Sequence, residues 1–203
     1  MVTISRLYTG RGDLGQTDLA NGARVAKTDW RIVALGALSE ANATLGLALA
    51  AGAGPAEAIE ALQQELFDLG ADIAMPLPLA DAACRAPGPG ATSAGAPRIS
   101  PEQVKAIETQ IDGLSASLPP LHSFVLPGGG EVAVRLHLAA TVLRRAERAA
   151  WAAAERFGTD CAGGLNSLAL SYLNRLSDLV FALARVASQG QETLWRSKAE
   201  RAG

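Results

Sequence analysis

The 203 residues carry 18 Lys and Arg against 20 Asp and Glu, a formal net charge of −2, with 49% hydrophobic residues but only 4% aromatics. This composition excludes a disordered chain, and the near balance of charge removes the positive field that nucleic acid or an acidic membrane surface requires. The length suits one domain, residues 1–203, with a substantial core. Cys84 and Cys161 are the two cysteines; their wide separation predicts neither a disulfide framework nor a zinc site and suits a reducing compartment. The start Met1-Val-Thr-Ile-Ser-Arg-Leu-Tyr8 lacks the apolar run of a secretory signal. No charge-free stretch approaches the roughly 20 apolar residues of a membrane span. A soluble, cytoplasmic protein is expected.

Residues 1–28 are polar and glycine-rich, without helical periodicity, and predict a flexible loop or arm. After Thr28, Leu35, Leu38, Asn42, Leu45 and Leu49 recur at the three- and four-residue steps of one helix face. Gly52 and Gly54 end that helix, and Pro55 opens a second, with Ile59, Leu62, Leu66, Leu69 and Ile73 inward and Pro76 and Pro78 as its stop. Residues 77–98, rich in Pro, Gly, Ala and Ser, predict a flexible surface loop. Ser100-Pro-Glu-Gln103 starts a third helix, with serine as cap, proline at the first position and glutamine at the third. Its face is Val104, Ile107, Ile111, Leu114 and Leu118, and Pro119-Pro120 ends it. Phe124-Val-Leu-Pro-Gly-Gly-Gly130 reads as a strand-like step into a glycine turn. A long helix over about 131–157 follows, seamed by Leu136, Ala139, Leu143, Ala146 and Ala150. A last helix over about 166–187 turns Leu168, Tyr172, Leu176, Leu179, Leu183 and Val186 inward. Five helices with short connections predict an all-α five-helix bundle.

Charge interrupts the last two helices where core is otherwise expected: Arg144, Arg145, Glu147 and Arg148 in one, Asn174, Arg175 and Asp178 in the other. Charge is costly to bury unless paired or liganded, so this cluster either ties the bundle together or faces an anion. Two further features invite phosphate. The segment Tyr8-Thr-Gly-Arg-Gly-Asp-Leu-Gly-Gln-Thr17 has glycines whose backbone N–H groups close on an anion, with Thr9 and Thr17 as hydroxyl donors and Arg24 and Lys27 downstream. Gly128-Gly129-Gly130 precedes a helix N-terminus, a natural anion site. Taken singly, the first reads as a flexible arm and the second as an ordinary tight turn. His137 predicts a packed, hydrogen-bonded histidine, and neither it nor His122 has metal-ligand partners at the required spacing.

Together these segments resemble the trimeric ATP:cob(I)alamin adenosyltransferases of the propanediol-utilisation type. The resemblance runs from Tyr8-Thr9 and Gly12-Asp13-Leu14-Gly15, through Arg24-Val-Ala-Lys27, Arg31, Gly36 and Glu40-Ala-Asn42. It continues with Leu66-Phe-Asp-Leu-Gly-Ala-Asp72, Phe124-Val-Leu-Pro-Gly-Gly129, Arg144-Arg-Ala-Glu-Arg148 and Tyr172-Leu-Asn-Arg-Leu-Ser-Asp178. It implies a homotrimeric five-helix bundle with active sites between subunits. ATP, with Mg²⁺ carried by the nucleotide rather than by protein side chains, is then bound by Thr9, Gly12, Asp13, Gly15, Thr17, Lys27, Arg144, Glu147, Arg148 and Asn174. Cobalamin lies against Phe124, Asn42 and Asp178. Phe124 and Arg144 carry the catalytic roles: the ring keeps the lower axial face of cobalt dry, and the arginine stabilises leaving charge. Cob(I)alamin attacks C5′ of ATP, giving adenosylcobalamin and triphosphate, so no side-chain nucleophile is needed. A cobalamin reductase and a downstream cobalamin-dependent enzyme are the implied partners.

The chain departs from the family pattern at four places. Arg11 stands for a threonine and Leu14 for a phosphate-binding lysine. Ser39 and Ala140 stand for an aspartate and an arginine that pair between subunits in the family. Losing both partners of a pair is nearly neutral where losing one is costly. Leu14, Ser39 and Ala140 are the support for an alternative reading, a catalytically weak paralogue that binds or delivers a corrinoid or nucleotide. A helical oligomer without ligand leaves Phe124-Val-Leu-Pro-Gly-Gly129 and Asn174-Arg-Leu-Ser-Asp178 unexplained.

Overall fold

The computed structural model describes residues 8–52, 54–78 and 97–201. A two-stranded antiparallel hairpin, β1 (Gln16–Asp18) and β2 (Arg24–Ala26), precedes helices α1 (Trp30–Ala50), α2 (Ala56–Ala74), α3 (Pro101–Ala116), α4 (Glu131–Phe157) and α5 (Ser167–Ala187), and a short α6 (Lys198–Arg201) follows. α4 spans roughly 40 Å at 1.5 Å per residue. α1 packs against α2 and α4, α4 against α5, and α5 against α3, with a lighter α2–α5 contact closing the bundle.

The helix boundaries follow local chemistry. The Asp29 carboxylate caps α1 by accepting from the Arg31 N–H at 2.9 Å, and Asn166 caps α5 in the same way through Leu168. Ser100 and Gln103 form a reciprocal capping box at α3, with bonds of 3.0 and 3.4 Å. The inward faces of α2, α4 and α5 are those the periodicity predicts, except that Leu168 and Val186 are half-buried. Two faces differ. In α1 the core is taken by Ala34, Leu38, Ala41, Leu45 and Ala48, while Leu35, Asn42 and Leu49 are only half-buried. In α3 only Ile107 is fully buried, because this helix lies at the margin of the bundle against α5. α1 is also, by length and mean hydropathy (1.5), apolar enough to cross a membrane, contrary to the expectation of no such segment. Here its alanine stripe packs into the bundle core.

Two further expectations are corrected, at residues 8–28 and at His137. Residues 8–28 are not an irregular arm: hydrogen-bonded β1 and β2 are joined through Leu19 and Gly22. Of the loop expected at 77–98, residues 79–96 lie outside the described residues, as do 1–7, 53, 202, 203 and hence Cys84. The ends of that loop are pinned, since Leu77 exchanges backbone hydrogen bonds with Gly163 and Gly164 and Arg98 is held by Asp72. His137 is buried, but its Nε2 has no hydrogen-bond partner among the described residues; its ring packs edge-to-face on Phe181. Arg31 is likewise structural, with its guanidinium 3.7 Å over the Phe157 ring and donating to the Gly163 carbonyl.

The tightest polar node is Asp72, which is 1% exposed. Its carboxylate accepts from Arg98 at 2.6 Å, from the Ile99 N–H at 2.8 Å and from the Asn166 Nδ2 at 2.7 Å. Removing one partner of such a buried pair strands the other charge. Asp72→Asn is therefore expected to cost about 2–3 kcal/mol, discounted because Arg98 reaches solvent. Denaturant titration of the purified protein checks it, with the helical signal at zero denaturant unchanged.

Burial pushes the His137 imidazole below its ordinary pKa, and nearby Glu192 opposes that only in part. The unfolded chain then takes up this proton more readily than the folded one. Stability is indifferent to His137 above pH about 6.5 and falls as the pH drops below it towards the lowered folded value. The slope of unfolding free energy between pH 7.5 and 5.5 is expected to flatten in His137→Leu relative to wild type.

Candidate active site

The glycine-rich arm is organised by its own backbone. The Asp13 N–H donates to the Gly10 carbonyl, that of Gly15 to Gly12, and that of Lys27 to Gly15 at 2.8 Å, which fastens the loop to the end of β2. The Arg11 N–H donates to the Thr9 hydroxyl at 3.4 Å. A side chain at Gly12 would put its Cβ 3.2 Å from the Lys27 Nζ, so the ammonium lies directly over the turn. Arg24 binds the Asp18 carboxylate at 3.0 Å and Arg11 approaches it at 3.4 Å. These cations hold the Asp18 carboxyl below its usual range, the Arg24 hydrogen bond contributing most. Two arginines on one carboxylate leave the hairpin with surplus positive charge. Leu14 is almost fully exposed and touches none of this. Thr17 pairs with Val25 across the strands.

The second group joins α4 to α5. Glu147 accepts from the Asn174 Nδ2 at 3.0 Å, and the Asn174 Oδ1 accepts from Arg175 at 2.6 Å, which also binds Glu108 of α3 at 3.1 Å. Arg144 faces Asp178 at 3.9 Å, and Arg145 pairs with Glu40 of α1. Arg148 is exposed, with no ion pair among the described residues. The cluster is thus both a seam and an anion-facing surface. Glu147 and Asn174 are tied to each other, whereas Arg144 and Arg148 present their guanidinium groups to solvent.

The third group surrounds Phe124, 80% exposed. Val125 bridges antiparallel to Leu194. The Leu126 N–H donates to the Thr193 carbonyl at 2.8 Å, and the Trp195 N–H donates to the Phe124 carbonyl at 2.7 Å. The rings of Phe124 and Trp195 meet edge-on at 6.4 Å. Beside them opens a cavity of about 690 Å³ lined by His122, Ser123, Thr193, Trp195, Arg196 and Glu200. Gly129 is required by close approach, since its φ is 89° and an added Cβ would fall 2.2 Å from the Ser188 hydroxyl. Gly130 at φ 99° leads into α4 without a side-chain cap.

No hydrogen bond or ion pair joins Thr9, Gly12, Asp13, Gly15, Thr17 or Lys27 to Arg144, Glu147, Arg148 or Asn174. The corrinoid-side residues are separated too. Asn42 exchanges hydrogen bonds with Gln63 in an α1–α2 groove, Asp178 lies on α5 beside Arg144, and Phe124 packs on the C-terminal segment. Among the described residues, no group of three or more His, Cys, Asp or Glu side chains gathers as a metal cage. Asp18, Trp195 and Glu192 enter the picture only through the structure. The turn dipeptide Asn21-Gly22 is the one sequence trace of the hairpin, and the pairing of Trp195 with Phe124, distant in sequence, leaves none.

This bundle, with its glycine arm, exposed phenylalanine and Arg–Glu–Asn seam, belongs to a class of helical nucleotide-dependent transferases. Residues 7–187 match the cobalamin adenosyltransferase family. The chain is 42% identical to a corrinoid adenosyltransferase of Mycobacterium leprae over 96% of this chain and 97% of that protein. It is 40% identical to the corrinoid adenosyltransferase PduO of Salmonella typhimurium, covering 88% of this chain and 48% of that protein. Its fold superimposes with a TM-score of 0.77 on a phenylalanine-to-histidine variant of the PduO-type ATP:corrinoid adenosyltransferase of Lactobacillus reuteri complexed with cobalamin and ATP. That match is 30% identical over 95% of this chain and 97% of that one. The chain belongs to the cobalamin adenosyltransferase family.

Proposed function

We infer that the chain transfers the 5′-deoxyadenosyl group of ATP to cob(I)alamin, forming adenosylcobalamin and releasing triphosphate. The observation that carries this is the α4–α5 seam, where Glu147 holds Asn174 and Arg144 faces Asp178, on a chain matching the family over residues 7–187. The reduced corrinoid substrate supplies the electron pair for the new bond to C5′, and the C5′–O bond breaks as triphosphate departs. The protein needs no nucleophile of its own. Its work is positioning and stabilisation of the charge that accumulates on the leaving group. Lys27 over the glycine turn, with the surplus charge of Arg11 and Arg24, suits the phosphates, and Arg144 and Arg148 supply planar donors from α4. The exposed Phe124 ring offers an apolar face that carries no ligand to the corrinoid and keeps water from it.

Magnesium belongs to this reading as a companion of the triphosphate, since the ion reaches such sites through phosphate oxygens with few protein carboxylates. A homotrimer belongs to it as well. The residues assigned to ATP and corrinoid fall into separate groups on one chain, and Val33, Leu47, Val134, Leu138 and Trp151 of α1 and α4 expose apolar surface. Ser39 satisfies its own hydroxyl on the Leu35 carbonyl and Ala140 is buried within the single chain, so neither strands a charge. A cytoplasmic location, a cobalamin reductase and a downstream cobalamin-dependent enzyme complete the proposal.

Anaerobic mixing of protein, ATP, Mg²⁺ and chemically reduced cob(I)alamin tests it through the spectral change to adenosylcobalamin. Conversion is expected. No conversion with corrinoid bound at stoichiometry favours the carrier reading that Leu14, Ser39 and Ala140 support. In steady-state kinetics, Lys27→Ala is expected to raise the KM for ATP about tenfold or more while the corrinoid KM stays constant, as loss of a charged contact predicts. Arg11→Ala is expected to raise it less, about threefold, because Asp18 already holds part of that charge. An unchanged ATP KM in Arg11→Ala removes Arg11 from the phosphate site.

A further inference from the structure

The connection between α3 and α4, residues 119–130, carries Phe124 and has no regular structure apart from its single bridge to Leu194. It is held at three points, all by the chain that follows the middle of α5. At its start, the Pro119 carbonyl accepts from Arg185 at 2.7 Å. At its centre, Phe124, Val125 and Leu126 bridge to Thr193, Leu194 and Trp195, and the Ser123 hydroxyl donates to the Trp195 carbonyl at 2.7 Å. At its end, Gly129 lies flush on Ser188. The turn that makes these contacts possible is closed by backbone hydrogen bonds from Gln189, Gly190 and Gln191, and an ion pair ties its far end to α5. Arg185 Nε donates to Glu192 at 2.5 Å, and with side chains 9% and 4% exposed it is the most buried ion pair among the described residues. Arg185 therefore binds both the start of the Phe124 segment and the residue immediately before its strand partner.

We propose that Arg185 and Glu192 are positioning residues for the corrinoid half of the reaction: their buried pair sets the place of Phe124 by docking Thr193–Trp195 along residues 124–126. This rests on the assignment of Phe124 to the corrinoid. Glu192 and the docked strand lie beyond residues 7–187, the part of the chain that matches the family. Arg185 lies within the matched residues, so the pair joins a residue of the matched region to one beyond it. Glu192→Gln keeps the shape of the side chain and removes its charge, leaving Arg185 without its counter-ion, so the docked segment is released while the helices remain.

The test measures amide hydrogen exchange and steady-state kinetics on the full chain. In Glu192→Gln, the Leu126 and Trp195 amides are expected to exchange about tenfold faster, with the α4 and α5 core amides unchanged. The KM for cob(I)alamin is expected to rise about tenfold with the KM for ATP constant. Arg185→Lys, which retains the buried positive charge, is the second variant if Glu192→Gln does not fold, and the same split at smaller size is expected. Faster exchange at Leu126 and Trp195 with unchanged corrinoid kinetics overturns the proposal, as does an equal rise in both KM values. A wild-type chain that makes no adenosylcobalamin but keeps both amides protected refutes the assigned reaction, and the positioning role with it. A wild-type chain that turns over while its variants behave identically refutes the positioning role alone.

Discussion

A single buried carboxylate organises the end of the bundle. Asp72 closes α2, receives Arg98 and the Ile99 N–H just before α3, and receives the Nδ2 of Asn166, whose Oδ1 caps α5. Three helix termini distant in sequence are thereby brought to one point, each polar group satisfied by another that would be costly to bury alone. With α5 fixed at its first residue, the face it presents to α4 is fixed along its length. Asn174 then meets Glu147, and Asp178 meets Arg144. The functional seam inherits its register from a node that takes no part in the chemistry.

The division of labour is sharp. The reaction asks for nothing from the protein that a triad or a resident metal would supply, and no such device is assigned to it. It asks for charge opposite a departing polyanion and for an apolar surface opposite cobalt. The first is assigned to arginines whose neighbours on the same helices are committed to structural pairs. Arg145 binds Glu40 and Arg175 binds Glu108, while Arg144 is only loosely engaged and Arg148 not at all. The second is assigned to Phe124, kept exposed by a backbone that is itself held tightly.

How much of this was legible in the sequence depended on contrast. In α2 and α4, Leu, Ile and Ala recur against charged residues, so the buried faces could be read directly. In α1 nearly every side is apolar, and the periodicity that favours Leu35 and Leu49 loses to close packing of Ala34, Ala41 and Ala48 against neighbouring helices. The hairpin escaped because its strands are only three residues long, Gln-Thr-Asp and Arg-Val-Ala, too short to show hydrophobic alternation. The site was legible as a set of motifs and, through them, as a family. Its supports were not: the burial of Glu192 and the approach of Trp195 to Phe124 depend on how the chain folds back after α5, which no local pattern encodes.

The hairpin carries a last consequence. Arg11 and Arg24 converge on Asp18 from two sides, so each guanidinium sits in the repulsive field of the other and one carboxylate cannot quiet both. The arm is in this sense spring-loaded. A polyanion arriving beside Lys27 relieves a repulsion already present, and by reciprocity whatever the anion gains from the arm, the arm gains in rigidity from the anion. On the proposed reading of the arm as the phosphate site, recognition of the nucleotide and consolidation of the hairpin are one free-energy change seen from two ends.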